Sequence, residues 1–196
     1  MQVVIVPNPQ LLQKATPVSS AEIARLRATA RKMAKLMYNS QGCGIAGPQV
    51  GLVKRLIVVD PEWGLPLDDE GTMAPQRPRF LFNPVIRGLS GEKSTAEEGC
   101  LSVPGITVPV ERYKYAEVEA VDLEGQPLFI QAEDFFARLL QHEIDHLEGV
   151  TVFEHLDPMQ RLDYLEKYQA ALAAGAKPGD TSIPEKAQTR AAGAGL

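Results

Sequence analysis

Apolar and polar positions along this chain repeat with two periods, and the switches between them divide it into elements. Ser19-Ser20-Ala21-Glu22 has the form of a capping box, in which the serine oxygen and the glutamate each cover an orphan N–H. It opens a predicted helix to about Tyr38, with Ile23, Leu26, Ala30, Met33 and Met37 returning on one face. Arg25, Arg31, Lys32 and Lys35 fall largely off that face and read as its solvated side. Helical spacing returns from Glu133 to Leu147, where Phe136, Leu140, Ile144 and Leu147 make one stripe and Gly149 is placed to end it. A third helix is predicted over about Pro158–Ala173, with Leu162, Leu165 and Tyr168 at turn spacing.

Between the helices the pattern is that of strands. Met1–Val6 reads as a short strand ended by Pro7-Asn8-Pro9, since proline cannot donate to a ladder. Leu56–Val59 is a β-branched run, and Phe80–Ile86 and the region around Ser94–Val103 follow. Lys114–Asp122 alternates strictly, and after Leu123-Glu124-Gly125-Gln126 a partner strand runs over Pro127–Ala132, which is a hairpin signal. Residues 61–79 carry four prolines and two glycines without periodicity and read as a loop or insertion. Beyond about residue 172 the chain is rich in Ala, Gly, Pro and Lys. The predicted organisation is one domain over 1–172 and a flexible tail over 173–196. Mostly antiparallel strands with helices at both ends predict an α+β fold, with the 133–147 helix packed centrally on the strands.

Composition narrows the function without naming it. The 196 residues are 44% hydrophobic and 23% charged, with a net charge of −5. That balance argues against whole-molecule affinity for nucleic acid, and no direct DNA binding is expected. No apolar run approaches the roughly 18 residues that span a bilayer, and the start has no basic n-region of a signal peptide. Two cysteines, Cys43 and Cys100, are too few for a disulfide framework. A reducing compartment is therefore the expectation, although a Cys43–Cys100 bridge is an alternative.

The chemistry concentrates in QHEIDHLEG, residues 141–149, which hold two of the three histidines. On a helix, i and i+4 face the same way, so His142 and His146 can present two imidazole nitrogens to one cation. Glu143 lies beside them, placed to handle the protons of a water at that cation rather than to ligate it. A catalytic metal needs a third protein ligand. Downstream the candidates are Glu148, Glu154, His155 and Asp157; upstream there is Cys100, within AEEGCLSVPG.

GCGIAGPQVG (42–51), EEGCLS (97–102) and QHEIDHLEG (141–149) resemble, in order and spacing, the three signature motifs of peptide deformylases. The resemblance also takes in VIVPNPQLL and extends to about residue 170. It implies a metal-dependent amide hydrolase that removes the formyl group from the N-terminal formyl-methionine of new polypeptides. The implied metal ligands are Cys100, His142 and His146, with Fe(II) the family's usual ion and Zn, Ni or Co able to substitute. Glu143 would be the acid–base, and Gln49 (side-chain amide) and Leu101 (backbone N–H) would donate to the oxyanion. The resemblance places the substrate backbone against Cys43, Gly44 and Ile45 and against Gly99. It places the methionine side chain near Cys43, Phe135 and Leu139, the last two at the buried edge of the metal helix. The implied setting is the cytoplasm of a bacterium, or an organelle, with only transient contact to the ribosome.

Two departures from the family pattern stand out. Gly47 occupies a position usually held by alanine, which is expected to loosen the loop. Ile106-Thr107 stand where many members carry an arginine. The rival readings are an H-E-x-x-H endopeptidase with a downstream ligand, and an inactive relative that only binds formylated N-termini.

Overall fold

Leu56–Val59 is a run of four apolar residues, and such a run is stable as a strand only if both of its faces are covered. It forms the second strand of an antiparallel five-stranded sheet whose order follows the chain: β1 (Gly44–Ala46), β2 (Leu56–Val59), β3 (Arg79–Cys100), β4 (Val103–Val121) and β5 (Pro127–Glu133). These elements come from a computed structural model that describes residues 1–66, 72 and 74–182. Side chains alternate across a strand, so Leu56 and Val58 face one layer and Ile57 and Val59 the other. On one side they meet α1 (Ser20–Asn39), whose Ile23, Ala30, Met33 and Met37 are buried with Ile45 and Phe82. On the other they meet α2 (Asp134–Glu148), through Leu139, Leu140, Ile144 and Leu147. Each fully buried aliphatic side chain contributes about 1.5–3 kcal/mol. A third helix, α3 (Pro158–Ala173), covers the start of β4 with Tyr168 and Ala171 against Val103, Val108 and Val110.

The α+β expectation holds, and so do the three helices and the β4–β5 hairpin, whose register runs from Tyr115↔Glu133 to Val121↔Pro127. Ser19 and Glu22 form the capping box reciprocally, as the sequence predicts. Two expectations are corrected. The pieces read as separate strands, 80–86 and 94–103, join up. Residues 80–86 and 94–100 belong to one 22-residue β3 that bends through register shifts between Phe82 and Val85, Ile86 and Gly88, and Ser90 and Lys93. Residues 101–103 are the turn into β4 and its first residue. Bulges and glycines broke the alternation that the sequence reading relied on.

The second correction concerns Met1–Val6, which is extended but not a strand. Val4 N–H donates to the Gln49 carbonyl, in the 3-10 turn Gly47–Val50, and Val6 N–H to the Ser102 carbonyl, in the turn after β3, so the segment meets two turns rather than a strand edge. The 61–79 segment is described only in part, and of the predicted tail residues 183–196 lie outside the described residues. Residues 174–182 are packed against the domain.

The end of α2 is pinned from outside. Gly149 takes the left-handed conformation at φ 78°, as the C-terminal glycine signal requires, and the Leu147 carbonyl accepts from Ala15 N–H at 2.8 Å. That anchors the helix turn carrying His146.

Candidate metal centre and active site

Three structural facts bring the sequence candidates together. Cys100 closes β3 and is buried; His142 and His146 lie one turn apart on the buried face of α2; and the first-motif segment, β1 with the turn Gly47–Val50, runs past both. The Cys100 sulfur and one nitrogen of each imidazole all lie within 4.8 Å of one another. Cys100 Sγ is 3.3 Å from His146 Nε2. Two ligands at typical Zn–S and Zn–N lengths on a tetrahedral ion stand about 3.5 Å apart, so the donor set fits a divalent transition metal. His155, by contrast, binds Asp145 Oδ2 at 2.8 Å and takes no part. The two cysteines are free thiols, which removes the disulfide alternative.

Electrostatics favour a cation at this point. Burial alone would raise the Cys100 thiol, but His146 and His142 more than offset it and hold it down at about 5. Burial opposes charge on His142, yet Cys100 and Glu98 raise it well above its usual value. The same negative surroundings favour any cation between the rings. His142 Nδ1 is 2.8 Å from Glu98 Oε2, which leaves Nε2 as the free ring nitrogen.

Glu98 is the functional residue that sequence reasoning missed. It receives Arg112 Nε and Nη2 at 3.0 Å each and Arg138 Nη1 at 2.7 Å, and Arg112 also reaches Asp145 at 2.5 Å. Burial would raise its carboxyl; His142 and Arg112 hold it well below the usual range. The signal was available. Period-two alternation puts residue 98 on the same face of β3 as residue 100, and both are buried while Gly99 between them is exposed.

Glu143 is buried beside the ligands, and its Oε2 has no hydrogen-bond partner among the described residues. Burial raises its carboxyl to about 7, with the imidazoles pulling the other way. A carboxyl poised near neutrality is suited to taking and giving a proton. Gln49, also buried, accepts from Ala46 N–H at 2.8 Å and directs its amide nitrogen at Ser102 Oγ (3.2 Å) and Cys100 Sγ (3.6 Å). Its N–H groups therefore point at the centre.

These groups open into one cavity of about 500 Å³, whose wall includes Cys43, Gly44, Gly99, Leu101, Phe135 and Leu139. Cys43 is a neutral thiol, raised to about 11 by burial and by the Glu143 charge, and makes an apolar surface. The Ile45 side chain faces away from the cavity, and Phe135 departs from its expected placement. Ile45 is fully buried in the α1 layer, so only its backbone can meet a ligand, because alternation along β1 turns its side chain away. Phe135 is 51% exposed at the rim rather than at a buried edge, since it sits in the first turn of α2, beyond the sheet's cover.

The family model described as Polypeptide deformylase matches residues 1–162. Among curated proteins, the chain is 38% identical over 175 residues to the peptide deformylase of Rhizobium meliloti (strain 1021), covering 89% of this chain and 95% of that one. It is 37% identical over 177 residues to peptide deformylase 1 of Shewanella oneidensis, covering 90% and 98%. Among solved structures it resembles the peptide deformylase of Ehrlichia chaffeensis at TM-score 0.76 and 34% identity, covering 86% and 94%. It also resembles that of Synechococcus elongatus in complex with actinonin, at TM-score 0.75 and 35% identity, covering 86% of each.

Proposed function

The chain belongs to the polypeptide deformylase family, hydrolases that remove the formyl group from nascent polypeptides, and from that premise we propose how its residues divide the work. Cys100, His142 and His146 hold one divalent ion. Fe(II) is the ion that family resemblance implies; a thiolate with two imidazoles would also take Zn(II), Ni(II) or Co(II). When bound, such an ion supplies Lewis acidity, polarising the formyl carbonyl and making a water nucleophilic near neutral pH.

Glu143 accepts the proton of the attacking water and returns it to the amine nitrogen, which would otherwise leave as a poor, unprotonated group. As the formyl carbon becomes tetrahedral, negative charge collects on its oxygen. The Gln49 side-chain N–H and the Leu101 backbone N–H donate to it. Glu98, fixed by Arg112 and Arg138, orients His142. Cys43 and Leu139 line an apolar slot for the methionine side chain, with Phe135 at its rim. The backbone of Cys43–Ile45 and of Gly99 is the extended main chain along which a peptide would lie.

The substrates are N-formylmethionyl peptides and nascent chains, met in the cytoplasm of a bacterium or inside an organelle, with transient contact to the ribosome. No helix of the described residues is long and apolar enough to cross a membrane.

One observation carries this reading: the buried Glu143, whose Oε2 has no hydrogen-bond partner among the described residues, lines the same cavity as Cys100 and His142, and that sulfur converges with the His142 and His146 imidazoles. Formate release from formyl-Met-Ala-Ser, after anaerobic purification, tests it. Wild type releases formate and loses activity in air as the thiolate oxidises. Glu143→Ala keeps its metal and loses turnover. Cleavage of internal peptide bonds without formate would overturn the assignment in favour of an endopeptidase.

A further inference from the structure

The segment that follows α3 is built onto the mouth of the cleft. Ala176 packs into the β4 layer, and the chain then closes a turn on itself. Asp180 N–H donates to the Lys177 carbonyl at 2.9 Å, and Lys177 N–H donates to Asp180 Oδ2 at 2.7 Å. From β4, Gly105 N–H donates to the Asp180 carbonyl at 2.8 Å. On the opposite side, Gly179 lies so close to the Ser40 carbonyl, at the end of α1, that any Cβ on it would overlap that oxygen. Thr181 then turns back over β3, its methyl 3.3 Å from where a Cβ on Gly99 would stand. These five residues tie together β4, the end of α1 and β3, and of these β3 lines the cavity through Ser94 and residues 96–100.

Such a strap could plug the cleft or form part of its wall. Gly179, Asp180 and Thr181 line the cavity that also holds Cys100 and Glu143, and about 500 Å³ remains open with the strap in place. The strap makes no hydrogen bond to Cys100, Glu143 or either metal-binding imidazole among the described residues. It is a wall.

Resting on the deformylase reading above, we infer that residues 177–181 are a specificity element that contacts the peptide residues following the formyl-methionine. With the formyl carbon at the reaction centre and the methionine side chain in its slot, the rest of the peptide must leave through the mouth, past Gly99 and Thr181. Contacts there are remote from the reacting bond. They stabilise bound long peptides and are absent for a substrate that ends at the methionine.

The test compares kcat/KM for formyl-Met-Ala-Ser with kcat/KM for formyl-methionine amide, in full-length wild type, Gly179→Val and Thr181→Trp. Gly179→Val drives the strap off Ser40. Thr181→Trp, at an exposed position, fills the exit without disturbing the core. Wild-type turnover of the amide reports on the deformylase reading, and the ratio across variants reports on the wall. The ratio falls at least fivefold in both variants if the strap contacts the longer peptide. A ratio unchanged in both, or raised in Gly179→Val, overturns the inference.

Discussion

Gly44 and Glu143 touch: the α-carbon of Gly44 lies so close to the Glu143 carboxylate that a Cβ on residue 44 would overlap Oε1, and would come within 2.8 Å of Leu139 Cδ1. A glycine of the first motif thus makes room for the acid–base of the third. Gly44→Ala must push the carboxylate aside or shift β1. The expected outcome is a fall in formate release of about 10²–10⁴, the range that a positioned acid–base supplies, with metal content retained. Metal analysis beside steady-state kinetics checks it; full turnover in Gly44→Ala would show that Glu143 is placed by something else.

Glu98 gives a second prediction with two separable readouts. Glu98→Gln removes the charge that orients His142 while keeping most of the shape, and metal affinity or activity should drop about 10–100-fold. Glu98→Ala also removes the carboxylate that Arg112 and Arg138 share, leaving the buried Arg112 with Asp145 alone. Breaking a buried pair from one side costs about 3–5 kcal/mol, so this variant should also unfold at markedly lower denaturant. Titration with metal and urea melts distinguish the two effects.

How much of this was legible follows from which interactions are local. Helix periodicity, the Ser19–Glu22 capping box and the Gly149 stop are set within a few residues, and all three stand as read. His142, Glu143 and His146 sit on one helix, so their relation is also local. The convergence of Cys100 with them depends on β3 ending where α2 passes, which periodicity alone could not show; resemblance to a family supplied it. Alternation with Cys100 marks the face of Glu98 but not its pairing with Arg112 and Arg138. Gly47 meets 52–54 through a tight turn that the sequence pattern does not specify. Gly44 meets Glu143 across a long stretch of chain, and nothing in either residue marks that contact. The same holds for 174–182, whose Ala- and Gly-rich composition suggests flexibility. Small residues there also allow the close approach of Gly179 to Ser40 and of Ala176 to Gly105.

Gln49 has two jobs that one substitution separates by magnitude. Its side-chain oxygen caps Ala46 N–H at 2.8 Å, and its amide nitrogen faces the centre. Gln49→Ala should lower kcat by about 10²–10³, as loss of one oxyanion donor does. It should also destabilise the fold by about 1–3 kcal/mol, because a buried N–H loses its acceptor. A stability loss with kcat intact would assign Gln49 to the scaffold alone.

Glu22 makes a prediction in pH. Its carboxylate binds Lys54 at 2.8 Å and accepts from Ser19 N–H at 2.8 Å, and these contacts, Lys54 first, lower its pKa from 4.5 to about 2. A carboxyl whose folded pKa lies below its unfolded one stabilises the fold above the unfolded value. That contribution is lost as pH falls from about 4.5 towards 2. Glu22→Gln retains a capping side chain but not the charge. The melting-temperature gap between wild type and this variant should therefore be constant at and above pH 6 and close progressively below pH 4.5. A gap independent of pH would show that the capping geometry, not the charge, is what Glu22 contributes.

Gly47 reverses a usual expectation. Replacing glycine by alanine commonly stabilises by about 0.4–1 kcal/mol, because the unfolded chain loses freedom, and alanine is the residue that the family pattern leads one to expect here. In this protein the α-carbon of Gly47 is pressed against the 52–54 segment, and a Cβ would stand 2.5 Å from the Leu52 carbonyl and 2.6 Å from that of Lys54. Both are backbone atoms, which cannot swing away as a side chain would. Leu52 N–H moreover donates to the Gly47 carbonyl at 3.0 Å, so the two segments cannot separate without losing that bond. Overpacking of this kind costs about 1–3 kcal/mol, more than the entropic gain. Gly47→Ala should lower the urea midpoint, and it should lower kcat as well, since Gln49 rides on the same turn. The glycine does not loosen the loop; it lets the turn close on 52–54. An unchanged or higher midpoint in Gly47→Ala would show that the loop has slack.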